Sequence, residues 1–148
     1  MTIESIDLRG AVAEVLIGGD ATGGSFTLVR YTAPPRFVAG PRHRHAVTAE
    51  AFHVLTGILT VELDDATLVL GEGESVAVPP GAVHAFRNDS EQHVTMLVIA
   101  APPGLERFLM DLSALIAGSP TWPPEDRSAL DDLCARYDQL PPLEAPSS

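Results

Sequence analysis

The chain has 148 residues, 45% of them hydrophobic and 20% charged, which suits one globular domain with a core of its own. Its net charge of −11 argues against nucleic acid or an anionic membrane as partner, and the absence of lysine excludes Schiff-base chemistry. The single cysteine, Cys134, excludes an internal disulfide; no apolar run approaches the roughly 18 residues of a membrane span, and the first residues lack the pattern of a secretory signal, so a cytoplasmic location is expected.

In chain order, residues 11–17 are apolar and suited to a strand that Gly18-Gly19-Asp20 ends. Residues 25–32 alternate as a second strand, with Phe26 and Leu28 on one face and Thr27, Val29 and Tyr31 on the other. Ala33-Pro34-Pro35 breaks it, and residues 37–41 read as an extended rim. Strand pieces follow at 52–55 and 58–63, a tight hairpin at Asp64-Asp65, then strands at 67–70, 75–78, 83–87 and 93–100. Many short strands separated by Gly and Pro turns indicate an all-β sandwich or barrel. After Pro102-Pro103-Gly104 the period changes. Leu105, Phe108, Leu109, Leu112, Leu115 and Ile116 predict an amphipathic helix closed near Gly118, and Leu130, Leu133, Cys134 and Tyr137 predict a second. The expected organisation is a barrel over 1–103, a helical extension over 104–140 and a mobile tail over 141–148.

The chemistry concentrates between His43 and Asn88. On a strand, residues two apart share a face, so His43 and His45 point the same way while Arg42 and Arg44 point away. Glu50 returns to them if residues 46–49 bend, and His84 arrives from a later strand after the Pro79-Pro80-Gly81 turn. Three imidazoles and one carboxylate suit iron, nickel, manganese, copper, cobalt or zinc, and suit calcium poorly. His43, His45, Glu50 and His84 are therefore the expected ligands of one divalent transition metal per chain. Ligand histidines bind as the neutral form, so metal should be lost as pH falls towards the histidine range. His53 has the opposite strand parity to Glu50 and reads as a far-face or subunit-contact residue; His93 reads as a surface histidine and Cys134 as inert core.

These residues carry a resemblance. His43-x-His45-x4-Glu50-x6-Gly57 and Gly73-x5-Pro79-x-Gly81-x2-His84-x3-Asn88 resemble the two motifs of the cupin superfamily. Upstream the pattern departs: five residues usually separate the family's leading glycine from the first histidine, whereas two separate Gly40 from His43. A tyrosine often found three residues after the glutamate is His53 here. Neither departure touches a ligand. The resemblance covers roughly residues 24 to 100 and implies a cupin double-stranded β-helix, a jelly-roll barrel, followed here by the two helices. Together with Pro103-Gly104-Leu105-Glu106-Arg107-Phe108, it is similar to small single-barrel cupins of the flavonol (quercetin) 2,3-dioxygenase type.

That resemblance implies a metal-dependent dioxygenase-type oxidoreductase acting on a small aromatic or enol-bearing substrate, with Glu50 as catalytic base as well as ligand. Phe26, Phe37, Phe52, Phe86 and Met96 are the expected apolar lining of the substrate pocket. The fold hosts isomerases, cyclases and decarboxylases too, and a non-catalytic binding barrel is the reading from another class. The resemblance also implies a homodimer.

Overall fold

The computed structural model describes residues 3–143. Ten strands precede two helices: β1 (Glu4–Leu8), β2 (Ala11–Ile17), β3 (Thr27–Ala33), β4 (Phe37–Val38), β5 (Ala49–Thr56), β6 (Leu59–Leu63), β7 (Ala66–Leu70), β8 (Ser75–Val78), β9 (His84–Asn88), β10 (Val94–Ala101), α1 (Leu105–Ala117) and α2 (Ser128–Arg136). The strands form a six-stranded antiparallel sheet, β1-β2-β3-β10-β5-β8, and a four-stranded one, β4-β9-β6-β7. This is the expected all-β jelly roll with two C-terminal helices.

Alternation builds the core. In β3, Thr27, Val29 and Tyr31 are buried; in β5, Phe52 and Val54; in β10, Met96 and Val98. They face Leu59 and Val61 of β6, and the two sheets close one apolar cluster between them. Each fully buried large apolar side chain of this kind contributes roughly 1.5–3 kcal/mol relative to exposure. No helix among the described residues is long and apolar enough to cross a membrane.

Two strands were not legible as such. β1 has a weak strand pattern because Glu4, Ser5 and Asp7 dilute it; only Ile6 and Leu8 turn inward as it pairs with β2. The rim at 37–41 contains a true two-residue strand, since Phe37 and Val38 pair with Asn88 and Arg87. The chain at residues 140–141 contacts the barrel. Leu140 pairs with Arg44, and the carbonyl of Pro141 accepts the Arg44 Nε–H at 3.1 Å. Residues 144–148 of the expected tail lie outside the described residues.

The helices cover one side of the barrel. Leu109 of α1 is buried, with Leu105, Phe108 and Leu112 packed on the core, and Glu106 accepts the hydroxyl of buried Thr27. Ser113 donates to the Asp7 carbonyl at 2.6 Å, which fixes α1 to β1. α2 packs on α1, where Tyr137 donates to Asp111 and its ring stands 5.9 Å from that of Phe108.

Two motif residues prove structural. Gly57 has φ +84°, and a Cβ there would lie 2.5 Å from the His93 carbonyl oxygen, so the β5–β6 turn requires glycine. Asn88 is 1% exposed and clamps two loops. Its amide donates to the carbonyls of Ala33, Pro34 and Gln92, and its Oδ1 accepts from the backbone and hydroxyl of Ser90. Aspartate has no donor for those carbonyls and adds a buried charge. Asn88→Asp is therefore expected to lower unfolding stability by about 3 kcal/mol, read from the urea midpoint; an unchanged midpoint would remove the clamp from this account.

Candidate metal centre

The centre lies where the two sheets face each other. Glu50, on β5, pairs with Val78 and Ala100 within the large sheet. His84 opens β9 opposite Leu63 in the small sheet. His43 pairs with His84 through two backbone hydrogen bonds, N–H to O at 3.0 and 2.8 Å. Val38 pairs with Arg87 and His43 with His84, so five steps on one strand match three on the other. Two extra residues are thus accommodated across 39–42, the stretch in which Gly40 departs from the family spacing. The turn at Pro79-Pro80-Gly81 is closed by Ala82 N–H on the Pro79 carbonyl at 3.2 Å, with Gly81 at φ +89°. Gly81 N–H also bonds the His45 carbonyl at 2.7 Å, which joins the turn that precedes His84 to the loop that carries His45.

The three rings converge, with centroids 4.3 to 5.1 Å apart. Each Nδ1 faces a backbone carbonyl: His43 that of Pro41 at 3.1 Å, His45 that of Asp138 at 2.7 Å and His84 that of Ala82 at 3.0 Å. A carbonyl can only accept, so Nδ1 carries the proton in all three. That leaves each Nε2 as the nitrogen free to bind a metal, since outer partners of this kind orient histidines at metal centres. Glu50 stands beside two of them, Oε1 3.2 Å from His45 Nε2 and Oε2 3.5 Å from His84 Nε2. His45 and His84 are 1% exposed, yet their Nε2 atoms have no aligned hydrogen-bond partner.

The electrostatics separate the members. Burial pushes the His43 imidazole down to about 4, assisted by the neighbouring histidines. Burial also opposes protonation of His45, but Glu50 beside it, with the carbonyl and charge of Asp138, outweighs burial and raises it above the usual histidine value. Burial opposes ionisation of Glu50, yet the flanking imidazoles of His45 and His84 prevail and hold it down at about 2. Glu50 is thus a carboxylate at neutral pH. Two orphaned buried nitrogens, a third imidazole within 4.8 Å and a buried carboxylate fit a transition metal, with His43, His45 and His84 as nitrogen donors.

The expected pocket residues divide. Phe52 and Phe86 stack edge-on at 5.6 Å, and Phe52 lies 6.4 Å from the His84 ring. Met96 is buried in the adjoining β10, and Phe37 packs against the core from β4. Phe26 does not join them. It precedes β3 on the parity opposite Thr27, Val29 and Tyr31, and it is not packed on the core. Tyr31 takes the place given to Phe26, its ring 5.2 Å from Phe86 and its hydroxyl raised by burial. Strand alternation carried the signal for Tyr31. A cavity of about 200 Å³ reaches Glu50 from outside the barrel, lined by Thr48, Pro103, Leu105, Arg136 and Tyr137 among others and by none of the five expected residues. His53 faces away and bonds Ser75 Oγ at 2.6 Å, His93 is exposed, and the half-buried Cys134 thiol is raised by burial.

Asp138 was missed by the sequence reading. It follows α2 at φ +61°, and its carboxylate accepts three backbone N–H groups, of Ala46, Val47 and Thr48, at 2.6 to 3.1 Å, with the Thr48 hydroxyl also at 3.1 Å.

Comparison with known proteins agrees with this geometry. Residues 29–100 match the family model of the cupin domain. The chain is similar to quercetin 2,3-dioxygenase of Bacillus subtilis (strain 168), 34% identical over 87 residues, 57% of this chain and 24% of that protein. The match therefore spans about a quarter of that relative's length. Among solved structures it is similar to a sugar phosphate isomerase of the cupin superfamily from Silicibacter pomeroyi, with TM-score 0.55 and 27% identity over 62% of this chain and 59% of that one. It is also similar in fold to the polyketide cyclase RemF from Streptomyces resistomycificus, with TM-score 0.59 and 24% identity over 67% and 73% of the two chains. Jelly-roll topology, both histidine motifs and the domain match lead to one assignment: residues 29–100 of this chain form a cupin domain.

Proposed function

We propose that the protein is a metal-dependent dioxygenase-type oxidoreductase that acts on a small aromatic or enol-bearing substrate. The convergence of three Nε2 atoms beside an ionised Glu50, in a wall that includes Phe52 and Phe86, carries the reading. The similarity to quercetin 2,3-dioxygenase supports the reaction class. When bound, the ion supplies Lewis acidity toward an enol oxygen and a redox partner for dioxygen.

The chain's own residues supply the rest. His43, His45 and His84 hold the ion, and Glu50 completes the set from the opposite sheet. Glu50 presents an oxygen within the site that can take the hydroxyl proton of an enol, because it is ionised at neutral pH. Phe52, Phe86, Tyr31 and Met96 pack the core side of the site and exclude water there. The cavity beside Glu50 is smaller than the roughly 300 Å³ at which sites for drug-sized ligands begin, which favours a small substrate.

Protein purified without added metal should contain about one iron, nickel, manganese, copper, cobalt or zinc per chain by elemental analysis, and His84→Ala should lose it. Affinity should rise with pH through the histidine range, because metal must displace a proton from His45, and level off above its raised pKa; His43, down at about 4, contributes no proton there. Affinity independent of pH between 5 and 8 would contradict the ligand set.

Purified with its metal, the protein should consume dioxygen with a flavonol or a diketone. Glu50→Gln should lower that turnover roughly 100-fold or more at matched metal content. A loaded protein inert to a broad enol panel would overturn the oxygenase reading in favour of a non-oxidative cupin reaction or a binding barrel.

The reading includes a homodimer formed through the outer face of the large sheet. Ile99, 43% exposed, lies opposite Leu28 and Ala51 on the neighbouring strands, and Leu97 follows on the same face. Light scattering should give twice the chain mass, and Ile99→Glu should halve it; a monomer at working concentration sinks the proposal.

A further inference from the structure

The C-terminal segment after α2 returns to the barrel at one place, the loop that carries His45. Arg44 and Leu140 exchange two backbone hydrogen bonds of 2.9 Å, as neighbouring strands do. The Arg44 side chain bonds the Pro141 carbonyl. Between these contacts and α2 stands Asp138, which acts with both of its parts. Its main-chain carbonyl takes the His45 Nδ1–H at 2.7 Å, and its carboxylate takes the N–H groups of Ala46, Val47 and Thr48 with the Thr48 hydroxyl.

Those three consecutive amides belong to the bend between His45 and Glu50, so one side chain fixes the path that brings the carboxylate back to the imidazole. Four residues lie between the two ligands. Three successive N–H groups all pointing at one acceptor form a backbone concavity that an anion fills. Without the carboxylate, those amides have no partner of that kind, and the bend is free to sample other paths. The carbonyl acts on a second variable: it selects the tautomer of His45 that leaves Nε2 free, and it holds the ring plane. α1 and α2 hold Asp138 in place in turn, since Tyr137, its neighbour, bonds Asp111 and packs on Phe108.

From this geometry we propose that Asp138 is a positioning residue of the metal centre, by which the C-terminal extension sets the orientation of His45 and the return of Glu50. The proposal rests on the metal-site reading above. It gives the helical extension a role in the site, although the extension lies outside the family match and supplies no metal ligand.

The test compares full-length wild type, Asp138→Asn, Asp138→Ala and Thr48→Val. Asparagine tolerates the left-handed backbone but turns one oxygen into a donor facing the Val47 and Thr48 amides. The first reading is amide hydrogen exchange without metal: residues 46–48 should exchange at least about tenfold faster in both Asp138 variants. The second is cobalt(II) affinity by chelator competition, with the visible spectrum of the bound ion. Affinity should fall about 10- to 100-fold in both Asp138 variants and less in Thr48→Val, and the spectrum should change. The third is the rise in melting temperature caused by metal; a merely structural contact lowers the metal-free and loaded melts together and leaves that rise intact. Cobalt affinity within about twofold of wild type, or unchanged exchange at 46–48, overturns the proposal. A wild-type chain that takes up no cobalt overturns the metal-site reading itself, and the wild-type titration distinguishes that outcome.

Discussion

Everything at this centre depends on one repeated interaction: an imidazole Nδ1–H donated to a main-chain carbonyl. It occurs three times, to Pro41, Asp138 and Ala82, and each time leaves Nε2 directed into the same space. A buried nitrogen without a partner costs about 1–3 kcal/mol, and Glu50 adds a carboxylate withdrawn from water. A barrel closed only for stability would fill this space with apolar side chains, as it does a few residues away with Phe52, Val54 and Val61. The arrangement is therefore sensible as a place where something positively charged is held. The opposed behaviour of His43 and His45 follows from the same confinement, because one is governed by burial and the other by its nearest carboxylate.

The architecture makes that confinement rigid. The three histidines and Glu50 come from distant stretches of the chain, and no single hairpin could bring all four together. His43 and His84 are locked by a pair of backbone hydrogen bonds, Glu50 is held between β8 and β10, and Gly81 ties the second motif's turn to His45. Asn88 and Gly57 belong to the same motifs but do no chemistry. One satisfies three loop carbonyls, and the other admits a carbonyl where a methyl group would collide. Motif positions thus divide into residues that face the centre and residues that keep its strands in register.

Much of this was legible because period-two alternation and ligand spacing are local properties. The outward direction of His53 and the two amphipathic helices follow from the sequence by geometry alone, whereas His43 and His45 stand on a loop with an isolated bridge rather than on the expected strand. What escaped was non-local or weakly patterned. β1 offers two apolar residues in five and becomes a strand through pairing with β2. Phe26 is large and apolar, yet the alternation of β3 places Tyr31 and not Phe26 inward. Asp138 lies 93 positions from His45, so no spacing rule connects them. An aspartate just after a helix, before Pro141-Pro142, looks like an ordinary turn residue until the chain is folded.

The same distinction bears on the reaction. Quercetin dioxygenase, sugar phosphate isomerase and polyketide cyclase are the names of proteins similar to this one, and they share a barrel while differing in chemistry. Here the rim beside Glu50 is built by Thr48, Pro103, Leu105, Arg136 and Tyr137, and three of these belong to the C-terminal extension. The extension therefore lines the approach to Glu50 and, through Asp138, also borders His45. One segment thus borders both the cavity beside Glu50 and the ring of His45. A change in the packing of α2 on α1 would reach the centre by moving Asp138, even though no residue of either helix touches the three imidazoles' Nδ1 atoms.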